Sequence, residues 1–220
     1  MALSKLTYNS FNVTPSASKA VGFGSGADDL AASLSGGSLV FIKKLTASAS
    51  GTLSIVDGTS DVVLDNTYKE YLFTFNNIHP ENEGDGVKFS FNFSVDTGSN
   101  YNVAKTTSVF RAYHNESDAS AVGYRTGSDL AQGTGFQELG DDINAGDGDE
   151  CTSGYLHLFD PSSTTFVKHF IASNNIHSTG QTKNFYTAGY GNTTSAVDAV
   201  QFKMSADNID AGDICLYGIS

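Results

Sequence analysis

Between residues 87 and 95 the chain alternates, with Val87, Phe89, Phe91, Phe93 and Val95 on one side and Lys88, Ser90, Asn92 and Ser94 on the other. A period of two puts successive side chains on opposite faces of an extended backbone. The segment therefore predicts a strand with one face in a core and the other in water. Shorter apolar runs predict further strands at 39–42, 52–56, 71–75, 108–114, 154–159, 165–172, 197–204 and 214–217. In the 197–204 run Val200, Phe202 and Met204 alternate with Gln201 and Lys203. Turn chemistry separates these runs at Asp57-Gly58, Asp96-Thr97-Gly98, Asp160-Pro161-Ser162-Ser163 and Asp210-Ala211-Gly212. Many short strands punctuated in this way predict an all-β protein, a single jelly-roll-like antiparallel β-sandwich. Inside that body only residues 128–132 read as helix, ended by Gly133 and Gly135. No heptad and no fixed-period repeat is present, so the chain is not a fibrous shaft.

Residues 1–37 read differently. Val13-Thr14-Pro15-Ser16 and Gly22-Phe23-Gly24-Ser25-Gly26 are loop chemistry, and residues 28–34 have room for one or two helical turns. Such a segment buries little by itself. It predicts an extended N-terminal arm (1–37) attached to the sandwich (38–220), docking through Leu6, Tyr8, Phe11 and Val13 on its own sandwich or on a neighbouring subunit.

Composition narrows the function classes. Charged residues make up only 16%, and Ser, Thr, Asn and Gly fill the polar positions, unlike a helical cytosolic enzyme. The 15 Phe and 10 Tyr are enough to fill a core, which excludes a disordered chain. A formal charge of −12 repels phosphate backbones and anionic lipid, so neither nucleic acid nor a membrane surface is an expected partner. The first residues lack an apolar signal region and no run is long enough for a spanning helix, so synthesis and assembly are expected in a host cytoplasm. Cys151 and Cys215 are then expected as thiols. The sequons at Asn12, Asn92, Asn115 and Asn192 carry no weight without a secretory pathway.

Candidate chemistry is sparse. Glu138, Asp141, Asp142, Asn144, Asp147 and Asp149 lie among glycines on one stretch, the ligand type and loop flexibility that calcium uses. The spacing departs from an EF-hand, because Gly146 and Ser153 stand where ligands belong. A solvated acidic loop is the competing reading. The histidines His79, His114, His157, His169 and His177 show no zinc spacing. Gly-x-Ser-x-Gly and a phosphate-binding loop are both absent, and no catalytic constellation is expected. Sugars are held by aromatic faces with amides nearby. Asn100, Tyr101, His114, Tyr186 and Tyr190 are therefore candidate glycan contacts, with rim packing as the alternative.

Two parts of the chain carry a resemblance. The opening Leu3-Ser4-Lys5-Leu6-Thr7-Tyr8-Asn9-Ser10-Phe11-Asn12-Val13-Thr14-Pro15 resembles the start of virion structural proteins of marine cyanophages. The blocks His157-Leu158-Phe159-Asp160-Pro161-Ser162-Ser163-Thr164-Thr165, Thr193-Thr194-Ser195-Ala196-Val197-Asp198-Ala199-Val200-Gln201-Phe202 and Leu216-Tyr217-Gly218-Ile219 resemble a module of phage tail-fibre and head-fibre proteins. The resemblance implies a non-enzymatic β-sandwich on the virion exterior, held by other virion proteins in a homo-oligomer, a trimer by analogy. Two roles follow from it: a fibre-associated module contacting host-surface glycans, or a capsid decoration protein anchored by the N-terminal arm.

Overall fold

A computed structural model describes residues 22–23, 30–31, 38–81, 86–144 and 148–220. The chain divides into two units, Met1–Gly37 and Ser38–Ser220. In the first unit the described residues form β1 (Gly22–Phe23) paired antiparallel with β2 (Leu30–Ala31). Leu30 and Ala31 are thus extended, not part of the helical turn expected over 28–34. The docking residues Leu6, Tyr8, Phe11 and Val13 lie outside the described residues.

In the second unit the strands are β3 (Leu39–Thr46), β4 (Leu53–Val56), β5 (Glu70–Pro80), β6 (Phe89–Ser94), β7 (Lys105–Asn115), β8 (Ser120–Tyr124), β9 (Gln137–Glu138), β10 (Thr152–Phe159), β11 (Lys168–Ser178), β12 (Gln181–Gly191), β13 (Ala199–Met204) and β14 (Ile209–Ile219). They form an eight-stranded sheet in the order β3-β14-β5-β10-β11-β12-β7-β8 and a four-stranded sheet in the order β4-β13-β6-β9. Every pairing is antiparallel. The two sheets pack as a β-sandwich, the all-β class that the period-two pattern predicts.

The core is phenylalanine-rich because both inner faces need large apolar side chains to fill the space between sheets. Phe91 meets Phe93, Phe170 and Phe202, and Phe75 meets Phe89 and Phe202, with centroids 5.0–6.5 Å apart. Leu156, Leu158, Phe185 and Leu216 complete the large sheet's inner side. The hairpin β11–β12 is paired without a break from Lys168↔Gly191 to Ser178↔Gln181. Its two turn residues, Thr179 (φ 50°) and Gly180 (φ 66°), are both left-handed, the combination that matches the twist of paired strands.

Three expectations need correction. The polar side of β6 is not wet: Ser90, Asn92 and Ser94 are all buried. Segments of irregular backbone fold over it, and the Asn92 carboxamide Nδ2 donates to the carbonyls of Tyr101 (2.6 Å) and Thr134 (3.0 Å). Residues 128–132 are not helical. Their backbone is pinned to β7 instead, where Leu130 N donates to Thr107 Oγ1 (2.8 Å), Thr107 N donates to Leu130 O (2.9 Å), and Gln132 adopts φ 55°. The strand expected at 165–172 starts at Lys168 and runs to Ser178, and it pairs with β12, which the apolar pattern missed.

Candidate functional site

Burial alternates along the large sheet. In β12, Lys183, Phe185 and Thr187 point into the core while Thr182, Asn184 and Tyr186 point away from it. The same alternation in β10, β11 and β7 builds a broad outer face opposite the sandwich core. Most of the exposed large apolar side chains sit there: Phe110, Val122, Tyr124, Tyr155, Ile171 and Tyr186, with Leu39 and Phe41 at the β3 edge. Exposed aromatic side chains gathered on one face make it the candidate interaction surface.

Register converts these residues into a row. Tyr155 of β10 pairs with Ser173 of β11, Ser173 with Tyr186 of β12, Tyr186 with Phe110 of β7, and Phe110 with Tyr124 of β8. The row crosses the strands at right angles. Phe110 and Tyr186 stack, with centroids 5.3 Å apart and ring planes 26° from parallel. One row further along, Asn175 pairs with Asn184, and the Asn175 amide donates to Thr182 Oγ1 (2.7 Å). In the other direction His157, Ile171, Ala188 and Ser108 form the next row, followed by His169, Tyr190 and Thr106. No outward position of β10, β11, β12, β7 or β8 holds Asp, Glu, Lys or Arg. A depression of about 430 Å³, lined by His114, Asp118, His177 and Thr182 among others, closes one end of the face.

Of the residues singled out for glycan contact, the fold brings Tyr186, Tyr190 and His114 onto this face. Asn100 and Tyr101 lie elsewhere, in the turn after β6. There Asn100 N and Nδ2 donate to the Asp96 carboxylate at 2.9 and 2.7 Å, and Tyr101 packs over Gly98. Those hydrogen bonds hold the Asp96 carboxyl below the usual range, Asn100 contributing most. Sequence reasoning missed Tyr155, Phe110, Tyr124, Asn175 and Asn184. The signal available was their place at alternate positions of a strand, which becomes useful only once neighbouring strands are known.

The acidic stretch is spent largely on protein cations. Glu138 pairs with Lys88 (2.5 Å), Asp141 with Arg111 (3.0 Å) and Arg125 (2.8 Å), and Asp142 with Lys183 (2.7 Å). The Lys183 hydrogen bond holds the Asp142 carboxyl low despite its partial burial. Asn144 Nδ2 lies 3.4 Å from Thr179 Oγ1. Asp149 offers its backbone carbonyl to His177 at 3.5 Å. Asp147 lies outside the described residues. Among the described residues no group of three His, Cys, Asp or Glu side chains is placed to hold a metal ion.

Two further groups are informative. Lys105 is fully buried, and its Nζ donates to Asn92 Oδ1 and to the Val103 carbonyl (2.8 Å). Burial alone pushes this ammonium down to about 7. Cys151 and Cys215 are both free thiols, and Cys151 is raised by burial and by Asp149. Comparison with protein families, curated proteins and solved structures returns no match.

Proposed function

We propose that this chain is a non-enzymatic binding module carried on the outside of a bacteriophage particle, where it holds host-surface glycans against the outer face of its eight-stranded sheet. One observation carries the binding part: a face without Asp, Glu, Lys or Arg across five strands, with aromatic rings in register and amides and hydroxyls between them. Aromatic rings cover the apolar side of a sugar ring, and amides and hydroxyls meet its hydroxyl groups. The phage-exterior part is supported by the resemblance of the opening and closing segments to virion and fibre proteins.

A glycan array probed with the whole chain, alongside Tyr186→Ala, tests the binding part. Retention of glycans by the native chain and their loss in the variant is the expected outcome. Equal binding by both places the site off this face. The second role, capsid decoration through the arm, draws support from the division of the chain into the units Met1–Gly37 and Ser38–Ser220. Antibody labelling of intact particles distinguishes the two: label at the tail periphery fits glycan capture, and label spread over the head fits decoration.

A further inference from the structure

We infer that the glycan held by this face is an uncharged, extended chain that lies across the strands, along the row from Tyr155 to Tyr124. The inference rests on the glycan-binding reading above and adds the ligand's charge class and direction.

Charge sets the class. An acidic polysaccharide laid on this face would bring carboxylates or sulfates against a surface with no Lys or Arg at any outward position of five strands. Its ions would lose water without gaining a counter-charge, which is costly. The formal charge of −12 on the whole chain adds a long-range repulsion. A neutral sugar chain meets neither penalty. The same face is also too rich in hydroxyls and amides for a mainly aliphatic partner: Ser153, Ser173, Asn175, Thr182 and Asn184 are interleaved with the rings.

Direction follows from register. Adjacent strands lie about 4.8 Å apart, so Tyr155 and Tyr186, two strands apart, are separated by roughly 10 Å, and Tyr155 and Tyr124 by roughly 19 Å. Phe110 and Tyr186 stack on one another between those ends, which fixes both side chains in the row. One strand step is close to the advance of one sugar ring in an extended chain, so successive rings meet Tyr155, Ser173, Tyr186, Phe110 and Tyr124 in turn. Along a single strand the series is shorter. On β12, Tyr186 and Tyr190 are separated by Ala188. On β10, Tyr155, His157 and Phe159 follow one another, but His157 and Phe159 turn their rings on each other with centroids 4.2 Å apart, and Tyr155 is the exposed one. A chain crossing the strands meets five outward side chains in one row, four of them aromatic, whereas a chain running along β10 meets one exposed ring.

The test is titration calorimetry on the whole chain with neutral β-1,4-linked gluco- and xylo-oligosaccharides of two to six rings, and with oligogalacturonate and sialyllactose as acidic probes. Affinity is expected to rise by about tenfold or more between two and six rings, with the acidic probes silent. Tyr155→Ala is expected to weaken the six-ring probe by about tenfold and leave the two-ring probe nearly unchanged, while Tyr186→Ala weakens both. Both side chains are exposed, and an unchanged melting temperature verifies that the variants fold. Binding confined to acidic probes, or affinity independent of length, overturns the inference and leaves glycan binding standing. Silence with every probe and with a broad glycan array overturns both. Sedimentation then shows whether a second copy occupies the face, as an oligomer dispersed by Tyr186→Arg.

Discussion

Lys105 is the buried lysine with the larger shift, and Lys168 is lowered the same way by burial. The Lys105 ammonium faces only neutral oxygens, those of Asn92 and Val103, so nothing offsets the loss of water. Its folded value of about 7 stands below the ordinary 10.5 of an unfolded chain. Between those values the unfolded chain binds the extra proton, so stability grows as pH rises from about 7 toward 10.5 and is lost as pH falls from 10.5 to about 7. Tyr71 limits the upper end: burial raises its phenol to about 12, and its contribution is lost as pH climbs above about 10 toward that value. Urea unfolding is thus expected to show maximal stability near pH 9–10, by roughly a few kcal/mol over pH 6. Lys105→Met should flatten this profile, because Asn92 Oδ1 still accepts from Phe93 N at 2.8 Å. Asp141 poses the opposite case. It is buried between Arg111 and Arg125, and Asp141→Ala strands both guanidinium groups. A loss of about 1–3 kcal/mol is expected in chemical denaturation, below the cost of a fully buried pair because Arg125 is partly solvated. Neither response is legible in the sequence, since Lys105 there is one lysine between Val103-Ala104 and Thr106-Thr107 and its burial is a property of the segments that cover it.

At the scale of the strand, β6 shows what a pattern can and cannot specify. Its phenylalanine periodicity identifies the strand and the face that enters the core. Phe91→Ala, which removes contacts to Phe93, Phe170 and Phe202, is expected to cost about 3–5 kcal/mol by thermal or urea unfolding. The same periodicity misassigns Ser90, Asn92 and Ser94 to water, because burial of a small polar face depends on which loop returns to cover it. Asn92, a sequon by sequence, is wholly enclosed and inaccessible to glycosylation. β12 escapes the pattern for a related reason: its inward residues include Lys183 and Thr187, satisfied by Asp142 and by the Glu138 carbonyl, so its core face does not look apolar. The β11–β12 turn makes a sharper demand. At Gly180 the backbone is left-handed and a Cβ would lie 3.2 Å from the Glu116 carboxylate, so Gly180→Val is expected to cost about 1–2 kcal/mol by urea unfolding.

For the whole molecule, the separation of charge from the outer face matters more than any single contact. The outward positions of β10, β11, β12, β7 and β8 carry no Asp, Glu, Lys or Arg, and Glu70 of β5 borders them, 2.9 Å from His157 Nε2. Ala188, central on that face between Ile171 and Ser108, is a position where a charge should be tolerated by the fold and not by a ligand. Ala188→Glu is expected to keep the melting temperature within a few degrees and to abolish glycan retention on an array. The sequence supplied three of this face's residues, Tyr186, Tyr190 and His114, by residue type alone. The row from Tyr155 to Tyr124 stayed hidden because it joins residues from five strands, and alternation assigns faces without naming neighbours.

The place of β14 in the large sheet has a consequence for biosynthesis. It is made after every other strand of the sandwich, yet it sits between β3 and β5, two of the earliest. While the ribosome is still upstream of Ile209, those two strands have no partner on their facing edges, and Phe73 and Phe75 lack the inner neighbours Ile214 and Leu216. The nascent chain therefore carries open strand edges until the end of the domain has emerged, a state prone to pairing with other chains. The hairpin β11–β12 pairs strands joined by a two-residue turn and needs nothing from β14, so its pairing is available before the last strand is made.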